Sequence, residues 1–148
     1  MIYHSRRDRK TAIFYFFIMM LGFFLLISSI LNILNQQGEL FLAIFNGIVG
    51  LVVSFYIILT YANTFYELKP KSLFIRSGPF TDDIRYQRIE KVERITRFSF
   101  GAALAQDKFR LHCGVRKNGR PNYVFISPQR PDEFLKKLIK NAPHILVD

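Results

Sequence analysis

Two long runs without charge govern what this chain can become. Between Lys10 and Glu39, and again from Leu40 to Asn63, no residue is ionised at neutral pH. A hydrocarbon core of about 30 Å takes roughly 20 helical residues to cross, and Ala12–Leu34 and Leu40–Tyr61 both reach that length. Each is therefore expected to be a transmembrane helix. The connector, residues 35–39, is short enough to make the pair an antiparallel hairpin. A cleaved signal peptide is the competing reading of the first run, because Arg6, Arg7, Arg9 and Lys10 precede it. The run exceeds the roughly 7–15 residues of a signal core, and no A-x-A cleavage pattern follows it.

Charge orients the hairpin. The formal net charge is +10, and a membrane protein gathers Lys and Arg on its cytoplasmic side because orientation demands it. Four basic residues precede the first run, the connector has none, and Lys69, Lys71, Arg76, Arg85, Arg88 and Lys91 follow the second. Both termini are thus expected in the cytoplasm and the connector outside. Residues 1–11 form a basic tail and residues 64–148 a cytoplasmic domain. Nucleic acid is not an expected partner, since orientation already explains the excess charge and the cations are spread over several segments. Cys113 is the single cysteine, which excludes an intrachain disulfide and a Cys-based metal cluster.

Within the second run, Ala43, Gly47, Gly50 and Ser54 recur at spacings of four, three and four, which puts small side chains on one helical face. In lipid such a stripe permits the close backbone approach that drives helix association. It is the candidate seam of the hairpin, with Gly22, Ser28 and Ser29 as its counterpart. Asn32 and Asn46 are polar but uncharged, so an ion or proton path through the hairpin is not expected. Tyr15, Tyr56 and Tyr61 sit toward the cytoplasmic ends, where amphipathic rings favour the headgroup layer.

From Thr64 the hydrophobic period shifts toward two, the signature of strands. Residues 64–68 start almost directly after the second run. Leu73 and Ile75 alternate with polar neighbours up to the turn Ser77-Gly78-Pro79, and Phe80–Tyr86 reads as the return strand. Ile89 and Val92 suit a short helical turn before Glu93–Phe98 resumes as extended chain. Phe109, Leu111, Cys113 and Val115 form an apolar face against Lys108, Arg110, His112 and Gly114, and Asn118-Gly119 marks a hairpin into Tyr123–Ile126. Ser127-Pro128 is expected to open a helix. Its apolar stripe is Phe134, Leu135, Leu138 and Ile139, with acids early and lysines late to match the helix dipole. The domain reads as about six short strands followed by one amphipathic helix.

The ordered set Thr64-x-Tyr66-x-Leu68, Leu73-x-Ile75-x-x-Gly78-Pro79-Phe80, Ile84-x-Tyr86-x-x-Ile89, Lys108-x-Arg110-Leu111, Ile126-Ser127-Pro128 and Phe134-x-x-x-Leu138 resembles the bacterial pleckstrin-homology (PH)-like domains that follow two N-terminal transmembrane helices in small membrane proteins. The resemblance implies a bent antiparallel β-sandwich or partly open barrel, closed at one end by the C-terminal helix. The segment Phe98–Gln106 departs from the family's pattern.

Catalytic groups are sparse. His4, His112 and His144 share no metal-ligand spacing, and His112 and Cys113, adjacent on a strand, point to opposite faces. Asp82-Asp83 diverge likewise and suit an exposed hairpin. An enzyme built from His112, Asp107 and Arg110 has no spacing to recommend it, so neither catalytic residues, metal nor cofactor are expected. The most suggestive segment is residues 94–101. There Arg94, Arg97, Phe98 and Phe100 could rest on an anionic leaflet, cations at headgroups and rings at the acyl boundary; the opposing reading buries the rings in the core and solvates the arginines. The chain is expected to be a non-enzymatic, membrane-tethered binding or scaffolding module, with membrane lipids around its helices and a protein or peptide as partner. The alternative that the resemblance suggests is an immunity protein against a membrane-active, bacteriocin-like peptide. No residue pattern sets an oligomeric state.

Overall fold

The computed structural model describes residues 1–35, 39–96, 102–115 and 121–148. Two helices, α1 (Arg9–Leu34) and α2 (Leu40–Ala62), are each long and apolar enough to cross a membrane. They lie antiparallel, with Gly22 against Gly50 and Ser54, and Ser29 against Ala43 and Gly47. Ala43, Gly50 and Ser54 are buried and Gly47 is half-buried. A Cβ added at Gly50 would lie 2.5 Å from the Gly22 carbonyl oxygen and 2.9 Å from the Leu26 nitrogen, so the backbones meet where only glycine fits. Ser29 donates its hydroxyl to the Ala43 carbonyl at 2.5 Å. Helix α1 begins three residues earlier than the apolar run suggests, because Arg9, Lys10 and Thr11 follow an extended Asp8 into the first turn.

Among the described residues, the rest of the chain forms two four-stranded sheets. One has the order β1 (Ile2–His4), β2 (Thr64–Leu68), β3 (Ser72–Ser77) and β4 (Phe80–Arg85), all antiparallel. The other runs β7 (Pro121–Ile126), β6 (Asp107–Val115), β5 (Lys91–Thr96) and β8 (Leu146–Val147), with β8 parallel to β5. A 3₁₀ turn at Tyr86–Arg88 links the sheets, and helix α3 (Pro131–Asn141) packs across them. The fold is the PH-like sandwich with one C-terminal helix. Two of its eight strands escape the sequence pattern: β1 is drawn from the basic tail ahead of the helices, and β8 is only two residues long.

One core joins both sheets and α3. Tyr66, Leu73 and Ile75 come from the first sheet, Val92, Leu111 and Ile126 from the second, and Phe134 and Leu138 from α3, all at most 4% exposed. Phe134 meets Tyr3 of β1 edge-on, the ring centroids 5.3 Å apart. Three local expectations need correction. The short helical turn falls at Tyr86–Arg88, ahead of Ile89, and Val92 already belongs to β5. Helix α3 opens at Pro131, not at Ser127-Pro128, with Arg130 at its N-cap and no side-chain cap; the Ser127 hydroxyl faces Ser5 at 3.0 Å instead. Val115 is 69% exposed although its alternating partners Phe109, Leu111 and Cys113 are buried. A bulge between His112 and Val115, with Gly114 at φ +68°, turns the end of the strand outward.

The helices and the domain form one joint. Strand β2 starts one residue after Asn63 closes α2, and α1 starts five residues after β1 ends. Thr64 donates to the Thr60 carbonyl at 2.5 Å, and Gly78 in the β3–β4 turn donates to the Asn63 carbonyl at 3.2 Å. Gly78 adopts φ +58° with the Thr60 backbone nitrogen 2.9 Å from where a Cβ would stand, so both its conformation and its space require glycine. Leu104 is fully buried among Tyr15 and Ile57 of the two helices. Tyr15 is accordingly buried in this joint and is not free to anchor in headgroups. The Asp8 carboxylate accepts the Gln106 N–H at 2.7 Å.

Candidate ligand-binding cleft

Strand direction divides the domain into two ends. Thr64, the Gly78 turn, Leu104, Ser5 and Ser127 lie beside the helices. Strand β2 runs away from them for five residues, a span of roughly 13 Å at the usual strand rise. At its far end the β2–β3 turn, the end of β4, the 3₁₀ turn and the last turn of α3 surround a cleft of about 910 Å³. Pockets of this size hold small ligands or peptide segments.

Tyr86 organises the cleft. Its ring is 4% exposed, and its hydroxyl donates to the Lys69 carbonyl at 2.7 Å while accepting from the Asn141 amide at 3.4 Å. Burial pushes this phenol above its ordinary range. The Tyr86 carbonyl accepts from the Ile89 N–H at 3.0 Å and stands 3.0 Å from His144 Nε2. A carbonyl only accepts, so His144 carries its proton on Nε2. Lys69 pairs with Asp83 at 3.1 Å. The Asp83 carboxyl is held below the usual carboxylate range by a hydrogen bond from Ser72 and then by Lys69. Lys71 and Arg85 also line the cleft, are exposed, and enter no salt bridge among the described residues. With Lys69 and Asp83 cancelling, the cleft carries an excess of positive charge and suits an anionic ligand.

The residues singled out in the sequence occupy other places. Arg94 lies on β5 near the helix-proximal end, where it grips Asp107 through two hydrogen bonds, Nε to Oδ1 at 3.0 Å and Nη2 to Oδ2 at 2.8 Å. Its charge is already matched. Arg97, Phe98 and Phe100 lie outside the described residues. Ala43, Gly47, Gly50 and Ser54 face α1, as described above. His112, Asp107 and Arg110 do not converge. His112 and Arg110 turn to Glu93 and stack beside Tyr123, whereas Asp107 belongs to Arg94 and Arg6. Glu93 gathers Arg110, Lys91 and His112, in that order of effect, and its carboxyl falls to about 2. Lys108, which alternation assigns to the solvated face, is 2% exposed and lies 5.6 Å from the Phe125 ring. Among the described residues no group of His, Cys, Asp and Glu could hold a metal ion.

The cleft is not legible in the sequence because its lining comes from three separated segments, residues 70–72, 83–87 and 141–144. Lys69-Pro70-Lys71 could have drawn attention as a basic turn at a strand end; nothing local ties it to Asn141 or His144.

A two-sheet sandwich with a packed C-terminal helix, joined without a linker to two long apolar helices, defines a PH-like domain protein with candidate membrane spans. The family model for the bacterial PH domain matches residues 64–142, more than half of the chain, and the chain belongs to that family. It is also similar to an uncharacterized protein, YyaB, of Bacillus subtilis (strain 168), with 24% identity over 148 residues that cover 99% of this chain and 97% of that protein. No solved structure matches it.

Proposed function

We propose that the chain is a non-enzymatic, membrane-tethered binding module at the inner face of the cytoplasmic membrane, and that its cleft receives an acidic segment of a soluble protein or peptide. The carrying observation is that the cleft opens at the end of the domain opposite the two helices. A site so placed faces away from the lipid in which its own anchor would sit, so its ligand comes from the aqueous side. Anchoring is supported by helices whose outward side chains are large and apolar, such as Phe17 at 66% exposure and Phe41 at 78%, which water would not tolerate over so wide a surface. The clustering of Lys and Arg beyond both helix ends away from the connector supports the orientation. Arg97, Phe98 and Phe100, which lie outside the described residues, are proposed from their residue types as a further leaflet contact, the cation at headgroups and the rings at the acyl boundary.

A photo-crosslinking residue at Gln87, an exposed lining position, tests the reading in living cells. A reproducible protein adduct is expected that weakens when Lys71 and Arg85 are both changed to Glu. Absence of any adduct, or one indifferent to the charge reversal, would sink the proposal.

A further inference from the structure

A second site lies at the other end of the domain, and it rests on the membrane anchoring proposed above. Between α1 and α2, next to the joint, is an almost wholly apolar groove of about 280 Å³ lined by Tyr15, Phe16, Met19, Ile57, Ile58 and Tyr61. At its mouth the Arg7 guanidinium lies 4.5 Å above the Tyr61 ring, a cation–π stack that fixes the side chain without neutralising it. Arg6, the preceding residue, pairs with Asp8 and Asp107. Arg7 enters no salt bridge among the described residues, and neither do Arg9 and Lys10, the first residues of α1.

We infer that this groove is a binding site for one anionic phospholipid, its acyl chain between the helices and its phosphate on Arg7. The groove spans about one helical turn on each helix, roughly 6 Å, which is too short to seat a partner helix but sufficient for part of an acyl chain. The domain closes it from above through Leu104, which packs on Tyr15 and Ile57. The cation therefore stands at headgroup depth directly over hydrocarbon, the arrangement of a phospholipid itself, and basic pockets between helices on the cytoplasmic side hold anionic headgroups. A zwitterionic lipid brings its own ammonium group and meets Arg7 with little net gain. An anionic one supplies the missing counter-charge.

The full-length chain is reconstituted in bilayers of equal phosphatidylglycerol and phosphatidylcholine, released, and weighed with its retained lipid by native mass spectrometry. Retention of one phosphatidylglycerol is expected in preference of roughly five-fold, the ratio that one cation near an anionic surface supplies. Arg7→Gln should erase that preference, whereas Lys136→Gln, which removes an equal charge from the exposed face of α3, should leave it intact. Ile58→Trp should fill the groove and reduce retention of both lipids. Equal retention of the two lipids by the parent chain, or a preference that survives Arg7→Gln, overturns the site while leaving the anchor standing. A chain that fails to float with the bilayers on a density gradient overturns the anchor itself.

Discussion

The hydroxyls of Ser5 and Ser127 lie 3.0 Å apart although 122 residues separate them. Both lie beside the phenol of Tyr66, which accepts the Ser127 N–H at 3.1 Å, stands 3.1 Å from Ser5 Oγ and donates to the Ala102 carbonyl. Leu104 N–H also points to Ser5 Oγ, at 3.3 Å. This buried network ties the segment ahead of α1, the strand after α2, the 102–106 segment and the entry to α3 into one knot. It makes the helix pair and the domain a single mechanical unit.

Removing the centre of the knot should be costly. Tyr66 is fully buried, so Tyr66→Phe leaves the buried Ser127 N–H without its partner, a loss of about 1–3 kcal/mol. Tyr3→Phe removes a hydroxyl bonded to Glu133 at 3.2 Å near the surface, where water can substitute. In thermal melts followed by circular dichroism in detergent, the Tyr66 variant should unfold several degrees below the Tyr3 variant. Equal midpoints would show that the network contributes nothing particular.

The helix seam yields a graded prediction. At Gly50 an added methyl group would strike backbone, whereas at Gly47 its closest obstacle is the Ser29 hydroxyl at 2.6 Å, a side chain that can shift at the expense of its hydrogen bond to the Ala43 carbonyl. Gly50→Ala should therefore destabilise the hairpin by about 1–3 kcal/mol, in the range of overpacked cores, and Gly47→Ala by clearly less. The order of the two melting midpoints decides the matter.

Acid should act on the outer face of the second sheet. The Glu93 carboxyl is depressed from 4.5 to about 2, chiefly by Arg110. A carboxyl lowered in the folded state stabilises it fully above its unfolded value, and that contribution is lost as pH falls from about 4.5 through about 2. The Glu93 carboxyl carbon followed by NMR should titrate near 2, and Arg110→Ala should move the midpoint upward. A midpoint near 4.5 in the parent chain would refute the ion cluster.

Cys113 should be inert while the domain is folded. It is 7% exposed, and burial, with Asp82 and Glu90 adding repulsion, pushes its thiol up to about 11. Thiolate is the reacting form, so maleimide at pH 7 should label the folded chain at least about 100-fold more slowly than a free thiol. Unfolding in guanidinium should restore ordinary reactivity. Rapid labelling of the native protein would mean that β6 opens readily.

Much of the architecture was legible because its causes are local. Uninterrupted apolarity marked both helices, period-two alternation marked β2, β3 and β6, and the 3.6 period of Phe134, Leu135, Leu138 and Ile139 marked α3, whose fully buried members are Phe134 and Leu138. Local reasoning failed where a residue's partner is remote. Ser127 had the chemistry of a helix cap but faces Ser5, and the pairing of Arg94 with Asp107 joins residues 13 apart that no local pattern links. His4 and its neighbours read as a solvated tail, yet they contribute an edge strand, since three residues are too few to show a period.

By itself the amino-acid order determined the two apolar helices, the sign and distribution of charge, and a run of short strands followed by one amphipathic helix, since each follows from residue type and spacing within a dozen residues. Only the tertiary structure decided that residues 2–4 pair with β2, that Tyr66 knots four segments together, that the basic cleft faces away from the helices and that Arg7 stands over an apolar groove. Those relations join positions far apart in the chain, and what brings them together is the burial of a shared core, which no short stretch of sequence encodes.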